Sequence, residues 1–254
     1  MDQCKSVPTP SLPAVRLSRI DCPATEEEKK EMAAIPFRSL AGSLLHAVNG
    51  TRIDICHATN VICRYMANPG QAHWIAAKRI LRYLSNARDL GLVFSAQPAS
   101  VPLVLGFSDA DWGMDLDDRH STTGYVFFMA GAPVSWATKR QPTVALSSME
   151  AEYMAATAAC QEALSLRSLL RELGLPVKVI PLHMDNQSAI FQAKNPVVNA
   201  RSKHIDIKHH FVRECLEKGH VDVKWIPTEK QMADILTKSL QPNVFKQFRV
   251  SLLI

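Results

Sequence analysis

Four acidic residues in the C-terminal half of the chain occupy positions from which they could share divalent metal ions: Asp109, Glu152, Asp185 and Asp234. Each stands at the end of a predicted strand or on a predicted helix. Two-metal hydrolysis of a phosphodiester needs acidic side chains that converge from separate elements, because one ion activates the water and the other steadies the leaving oxygen. The order of the four acids therefore predicts a site for Mg²⁺ ions, with Mn²⁺ as the alternative ion.

Two of these positions have an acidic neighbour that leaves the choice open. Asp111 lies two residues after Asp109 and shares its face if the strand continues. Glu150 lies two residues before Glu152, about 200° away around a helix, because successive residues turn by about 100°. Only one of the two glutamates can face the metals, and the other is expected to cap or solvate the start of the helix.

Hydrophobic periodicity divides the chain into segments of different predicted structure. Residues 1–25 predict an extended lead-in, and residues 26–96 carry apolar residues at helical spacing, with a short strand candidate at 91–94. Residues 101–241 follow the order βββαβααβα, which predicts an α/β domain with a mixed five-stranded sheet and flanking helices. Residues 242–254 are predicted to form a tail.

Local signals place several helix boundaries within this scheme. Thr25 followed by Glu28 is typical of a capping box at the start of a helix. A long helix is expected at 148–173, where Gly174 stops it. The last helix of the domain is expected at 229–239.

Composition favours a globular protein that works inside the cell. The chain has 254 residues, of which 47% are hydrophobic and 21% charged, values that allow a sizeable core. Its net charge of +5 permits a polyanionic partner. The sequence contains no apolar run of roughly 18 residues and no signal peptide, so we expect neither membrane insertion nor secretion. The six scattered cysteines predict reduced thiols.

Six short strings within residues 101–241 carry a family resemblance, and they lie at residues 106–112, 121–125, 145–153, 185–190, 203–207 and 233–238. Together they resemble the ribonuclease H domain in the Pol polyprotein of Ty1/copia-type LTR retrotransposons. Residues 37–94 resemble the thumb and connecting region at the end of the reverse transcriptase in the same polyprotein. The Tyr-x-Asp-Asp motif of the polymerase is absent, so no polymerase activity is expected.

The resemblance implies a ribonuclease H-like fold and a role for each acid in cutting the RNA strand of RNA/DNA hybrids. Asp109 would bridge both metals, with Asp185 beside it, and Asp234 would hold the metal on the water side. The family phrase Glu-Tyr-Met-Ala favours Glu152 over Glu150. Related cellular ribonucleases H have a histidine in the loop before the last acid, whereas this chain has none there, and Glu229 is the candidate substitute.

An RNA/DNA hybrid is recognised by its shape, its phosphates and the 2′-hydroxyl groups of its RNA strand. The candidates for these contacts are Asn186, Gln187 and Ser188 for hydrogen bonds, and Lys203, Lys208 and Arg213 for phosphates. The remainder of a Pol polyprotein is a further expected partner. The expected location is a cytoplasmic virus-like particle or the nucleus.

Other interpretations stay open at the level of sequence. The chain could be an inactive remnant of Pol that only binds nucleic acid or a protein. Residues 79–82 fit the R-x-L-R string of secreted effectors, although this string lies inside a predicted amphipathic helix. His204 and His209 could bind zinc, although a basic helix face near nucleic acid is the preferred interpretation of this region.

Overall fold

The structure is a computed structural model that describes residues 4–98, 100–195 and 203–254, and for residues 203–209 it describes the backbone alone. Within these ranges no helix is long and apolar enough to cross a membrane. The six cysteines all lie within these ranges and form no disulfide. In chain order the elements are α1 Glu26–Ala33, α2 Phe37–Gly50, α3 Cys56–Cys63, α4 Gln71–Leu84, β1 Leu105–Ala110, β2 Thr122–Met129, β3 Ala132–Arg140, α5 Ser148–Glu172, β4 Ile180–Met184, α6 Gln187–Lys194, α7 Lys203–Glu217, β5 Val221–Trp225, α8 Asp234–Thr237 and α9 Pro242–Leu252.

The chain folds into two compact units. The first, here called the helical unit, comprises Met1–Val93, Asp115–Arg119 and Lys238–Ile254, and the second, here called the sheet unit, comprises Phe94–Met114 and His120–Thr237. The borders predicted from the sequence, with a helical region at 26–96 and an α/β domain at 101–241, remain a prediction.

The helical unit confirms the predicted N-terminal helical region. At the start of α1, the Thr25 hydroxyl accepts a hydrogen bond from the Glu28 backbone N–H at 3.2 Å, and the Glu28 carboxylate accepts one from the Thr25 backbone N–H at 3.1 Å. This pair is the predicted capping box, which satisfies backbone donors that a helix start leaves without partners. Helix α2 buries Phe37, Ala41 and Leu44 on one face.

The predicted strand at residues 91–94 is wrong. Gly91 exchanges two backbone hydrogen bonds with Ile254, at 2.9 and 3.0 Å, but no ladder extends from this pair. Val93 and Phe94 are 49% and 56% exposed. The apolar residues that suggested a strand therefore lie in an irregular segment.

The sheet unit confirms the predicted mixed five-stranded sheet with flanking helices. The strand order is β3-β2-β1-β4-β5. The pairs β1–β2 and β2–β3 are antiparallel, whereas β1–β4 and β4–β5 are parallel. This order and these directions are those of the ribonuclease H-like fold that the sequence led us to expect.

The core of the sheet unit lies between the sheet and helices α5, α6 and α7. Phe127 on β2, Leu182 on β4 and Val223 on β5 are fully buried. Helix α5 contributes a buried stripe of small residues that includes Ala156 and Ala159. Because alanine side chains are small, the backbone of α5 can lie close to its neighbours, which fixes the start of this helix relative to the sheet.

The predicted closing helix at 229–239 forms only in part. The structure has a 3-10 turn at Thr228–Lys230 and a single α-helical turn, α8. Between them Gln231 has extended backbone angles. Its side-chain Nε2 donates to the carbonyl of Ser108 in β1 at 2.9 Å, so a tertiary contact replaces the helical continuation.

Helix α9 lies within the predicted tail, although its buried residues Phe245, Phe248 and Leu252 have the spacing of one helix face. Its Phe245 is 4% exposed and meets the Tyr83 ring edge-on, with 5.5 Å between the ring centroids. The C-terminal residues are therefore part of the core of the helical unit rather than an appendage.

We predict that Phe245→Ala lowers the free energy of unfolding by about 3–5 kcal/mol, because it leaves a cavity against Tyr83. The matched control is Val244→Ala, since Val244 is the neighbouring residue of α9 and is 40% exposed. That change should stay within about 0.5 kcal/mol of the wild type. Urea denaturation followed by circular dichroism measures both, and equal midpoints for the two variants would contradict this packing.

Candidate active site

Three carboxylates meet at one edge of the sheet. Asp109 lies near the carboxyl end of β1, and Asp185 directly follows β4, its parallel neighbour. Asp234 is the first residue of α8. Each of the three residues has a carboxylate oxygen within 4.8 Å of those of the other two. Adjacent parallel strands end at the same edge of a sheet, which is why the first two acids meet.

Glu152, in the first turns of α5, completes the cluster and is 6% exposed. Burial raises the pKa of Glu152 well above its usual range, and the charges of Asp109 and Asp185 raise it further. The side chains of Glu152 and Asp109 also share a hydrogen bond. The structure therefore brings together all four acids singled out in the sequence. Their role as metal ligands remains a prediction.

The structure separates Glu152 from its neighbour Glu150. The Glu150 carboxylate accepts a hydrogen bond from the Leu146 backbone N–H at 2.8 Å, and the Glu150 N–H donates to the Ser147 hydroxyl at 3.2 Å. Glu150 thus caps the start of α5, the role expected for whichever glutamate does not face the metals.

Asp111, the alternative to Asp109, holds the backbone at the end of β1. Its carboxylate accepts a hydrogen bond from the Thr122 N–H at 2.6 Å, and its own N–H donates to the Thr122 carbonyl at 3.0 Å. The geometry therefore favours Asp109 as the cluster residue.

Two threonine hydroxyls reach the cluster, and sequence reasoning missed both. Thr237 donates a hydrogen bond to Asp109 Oδ2. Thr228 donates to Asp185 Oδ2 at 2.7 Å. Thr228 lies in the loop without a histidine, where the sequence suggested Glu229 as the substitute. The only signal in the sequence is the position of both threonines within ten residues that also contain Asp234.

Gly124 lets α8 approach the sheet. It is the register partner of Asp109 on β2. A Cβ at this position would lie 2.6 Å from Thr237 Cγ2 and 2.9 Å from Leu236 Cβ, closer than real Cβ atoms come to other heavy atoms. The absence of a side chain therefore allows the close packing that brings Thr237 to Asp109.

The residues predicted to contact nucleic acid lie in different surroundings. Asn186 caps α6, because its side-chain oxygen accepts from the Ala189 N–H at 2.9 Å. Gln187 and Ser188 are exposed next to Asp185 in the chain. Arg213 Nη2 lies 3.4 Å from two carbonyl oxygens at the end of α6. The side chains of Lys203, Lys208, His204 and His209 lie outside the described residues, so these assignments remain predictions.

The chemistry of the cluster suits a hard divalent cation. Its potential ligands are carboxylate oxygens, the ligands that Mg²⁺ and Ca²⁺ prefer in proteins. Glu152 Oε2 is buried and has no hydrogen-bond partner among the described residues. Burying a carboxylate oxygen without a hydrogen-bond partner is unfavourable, and a cation bound between the acids would offset this penalty.

Comparison with known proteins identifies the family. No family model matches the chain. The chain is 44% identical over 97% of its length to the retrovirus-related Pol polyprotein from transposon TNT 1-94 of Nicotiana tabacum, of which it spans 18%. It is 35% identical over 98% of its length to the Pol polyprotein from transposon RE1 of Arabidopsis thaliana, of which it spans 16%. The chain thus belongs to the family of retrovirus-related Pol polyproteins of copia-type transposons and spans less than a fifth of those relatives.

Two further proteins are similar to only about half of this chain. A protein named secreted RxLR effector protein 161, from Plasmopara viticola, is 43% identical over 53% of this chain and 94% of its own length. Among solved structures, ribonuclease H1 from Halobacterium salinarum aligns with 53% of this chain and 93% of its own, with 19% identity and a TM-score of 0.41.

We predict that Gly124→Ala destabilises the sheet unit by about 1–3 kcal/mol, because the added methyl group overpacks against α8. The same change should weaken Mn²⁺ binding, because α8 carries Asp234 and Thr237. Thermal unfolding and Mn²⁺ titration measure the two effects. The control is Gly174→Ala on the far end of α5, which has open space around it but a positive φ of 75°. It should lose stability without losing Mn²⁺ affinity.

We predict that Glu152→Gln stabilises the metal-free protein at neutral and alkaline pH. Because the folded state raises the pKa of Glu152, the protonated form favours folding. That contribution is complete below the unfolded pKa near 4.5 and is lost as the pH rises through the raised value. In EDTA, the Tm of the variant should exceed that of the wild type by a few degrees at pH 8 and match it near pH 4. The control Glu31→Gln removes an exposed acid and should leave the Tm unchanged at both pH values. A lower Tm for Glu152→Gln than for the wild type at pH 8 would contradict the argument that ionised Glu152 destabilises the folded protein.

Proposed function

We propose that this chain is a metal-dependent ribonuclease H that cleaves the RNA strand of RNA/DNA hybrids. The observation that carries the proposal is the convergence of Asp109, Glu152, Asp185 and Asp234 from β1, α5, the end of β4 and α8. Exposed acids are common on protein surfaces, but three of these four are buried and they come from separate elements. Such an arrangement needs a function that offsets its electrostatic cost.

The residues present fit a pair of Mg²⁺ ions. Asp109, Glu152, Asp185 and Asp234 are the residues that would hold these ions, and the family resemblance suggests Asp109 as the one they would share. When bound, such ions activate the attacking water and stabilise the leaving oxygen. The protein's own residues hold the acids in place. Asp109 and Asp185 are fixed by hydroxyl donors, and Asp234 is fixed by the packing of α8 on β2.

The proposed substrate follows from the surface next to the cluster. Gln187 and Ser188 are exposed at the start of α6, directly after Asp185. Trp112 and Trp225 are 54% and 51% exposed, and the Trp225 indole N–H donates to the Asp185 carbonyl at 3.1 Å. Polar side chains can recognise 2′-hydroxyl groups, and exposed aromatic rings can pack on sugars and bases. These features support a substrate with one RNA strand.

The similarity to Pol polyproteins extends the proposal to the context of the enzyme. Residues 37–94 resemble the end of the reverse transcriptase, and the polymerase motif is absent from the sequence, so we propose no nucleotide incorporation by this chain. The remainder of a Pol polyprotein is the proposed partner, in a cytoplasmic virus-like particle or in the nucleus.

A secreted effector is the less favoured function. The R-x-L-R string lies in α4, where Ile80 is 1% exposed. Arg79 donates to the Thr9 hydroxyl at 3.0 Å, and Arg82 donates to the Lys5 carbonyl at 2.8 Å. Residues of this string thus hold the helical unit together, and a linear recognition motif has to be accessible.

We predict that Asp109→Asn and Asp185→Asn each reduce hybrid cleavage by more than about a hundredfold. Removing a residue that hydrogen-bonds to a metal ligand usually lowers activity by roughly 10–100-fold, and removing a ligand itself should have a larger effect. A labelled RNA/DNA hybrid with Mg²⁺ is the substrate. EDTA should abolish cleavage by the wild type, and double-stranded DNA should resist it. Asp222→Asn, which removes an acid whose side chain is 47% exposed, is the matched control and should cleave normally.

The alternative, an inactive remnant that only binds nucleic acid, has its own signature in the same assay. If the wild type and Asp185→Asn bind the hybrid equally and neither cuts it with Mg²⁺ or Mn²⁺, the enzymatic proposal is wrong. Salt titration of binding then reports the number of phosphate contacts.

A further inference from the structure

The segment between residues 228 and 237 brings three groups to the carboxylate cluster. Thr228 donates a hydrogen bond to Asp185 at 2.7 Å, and Thr237 donates one to Asp109. Asp234 lies between them in sequence and belongs to the cluster itself. We propose that the hydroxyl groups of Thr228 and Thr237 are positioning groups that orient Asp185 and Asp109 for metal binding. The inference rests on the proposed function, because it assumes that the cluster binds divalent cations.

The direction of both hydrogen bonds is set by chemistry. A threonine hydroxyl can donate or accept, but an ionised carboxylate can only accept. Facing Asp185 and Asp109, both hydroxyls therefore donate. Hydrogen bonds to a charged acceptor are stronger than neutral ones and stabilise the ionised form, which is the form that binds a metal.

Each hydroxyl engages a particular oxygen of its carboxylate. Both bonds end on Oδ2. Neither hydroxyl engages Oδ1 of Asp109 or of Asp185. Without a donor, a carboxylate can rotate about its last torsion, which is broad and two-fold. The two threonines thus define the orientation of each carboxylate.

The rest of the fold holds the threonines themselves in place. Gln231 bonds to the Ser108 carbonyl of β1 at 2.9 Å, and the Thr138 hydroxyl of β3 bonds to the Leu236 carbonyl at 2.7 Å. Thr237 is 1% exposed and its methyl group lies against Gly124. Strands β1, β2 and β3 therefore fix the segment independently of the two hydroxyl groups that reach the aspartates.

Paired substitutions separate the hydroxyl group from the shape of the side chain. Thr237→Val keeps the branched shape and removes the donor, whereas Thr237→Ser keeps the donor and removes the methyl group. Thr228→Val and Thr228→Ser repeat the comparison at an exposed position, where folding is not at risk. Thr157→Val is the control, because this hydroxyl in α5 donates only to the Tyr153 carbonyl at 2.9 Å among the bonds described.

The measurement is the affinity of the full chain for Mn²⁺, followed by electron paramagnetic resonance without nucleic acid. Each valine variant should bind Mn²⁺ about 10–100-fold more weakly, the usual effect of removing a group that orients a ligand. The serine variants and Thr157→Val should bind as the wild type does. In hybrid cleavage, excess Mn²⁺ should restore most of the rate of the valine variants.

The outcomes distinguish this inference from the proposed function. If valine and serine variants weaken Mn²⁺ binding equally, the methyl group matters and the inference is wrong. Unchanged affinity in both valine variants overturns it too, even if the wild type cleaves the hybrid. If the wild type binds Mn²⁺ with the expected pattern but never cleaves, the positioning role stands and the enzymatic proposal fails. A wild type that binds no Mn²⁺ overturns both.

Discussion

Mutual repulsion among four acids in a small, mostly dry volume is the constraint that shapes the sheet unit. Asp109, Glu152 and Asp234 are 2%, 6% and 4% exposed, and water screens them poorly. The pKa of Glu152 is raised by burial first and by the charges of Asp109 and Asp185 in addition. Nothing in folding favours such a cluster for its own sake, so the surrounding elements have to hold it with favourable interactions made elsewhere.

Those interactions come from three features of the sheet unit. Parallel pairing of β1 and β4 places two acids at one edge, and the buried core under α5 supplies the hydrophobic free energy that keeps the strands together. Small residues then allow close approach, with the alanines of α5 on one side and Gly124 under α8 on the other. Finally, hydroxyl groups of Thr228 and Thr237 replace water as donors to two of the carboxylates.

The sequence predicted what depends on local pattern and missed what depends on tertiary contact. Hydrophobic segments and helical periodicity predicted the five strands and the long helix α5, and the position of acids at strand ends predicted which carboxylates meet. The predicted strand at 91–94 was wrong because a strand forms only where another segment of the chain pairs with it, which local hydrophobicity does not determine. Helix α8 is short because Gln231 bonds to β1. Thr228 and Thr237 gave no separate signal, since threonines are common and only the fold brings these two to the aspartates.

A second buried acid in the same chain shows what a purely structural carboxylate looks like. Asp54, in the helical unit, accepts two hydrogen bonds from the Arg52 guanidinium at 2.9 and 2.7 Å and a third from the Tyr83 hydroxyl. Its charge is thus neutralised by Arg52, and both of its oxygens accept hydrogen bonds, so this carboxylate does not need a bound cation. Glu152, by contrast, has acids for neighbours and a buried oxygen with no partner among the described residues. The chain can satisfy a buried carboxylate when stability is the only demand, and the difference between Asp54 and Glu152 is therefore the physical argument for our proposal that the cluster binds a cation.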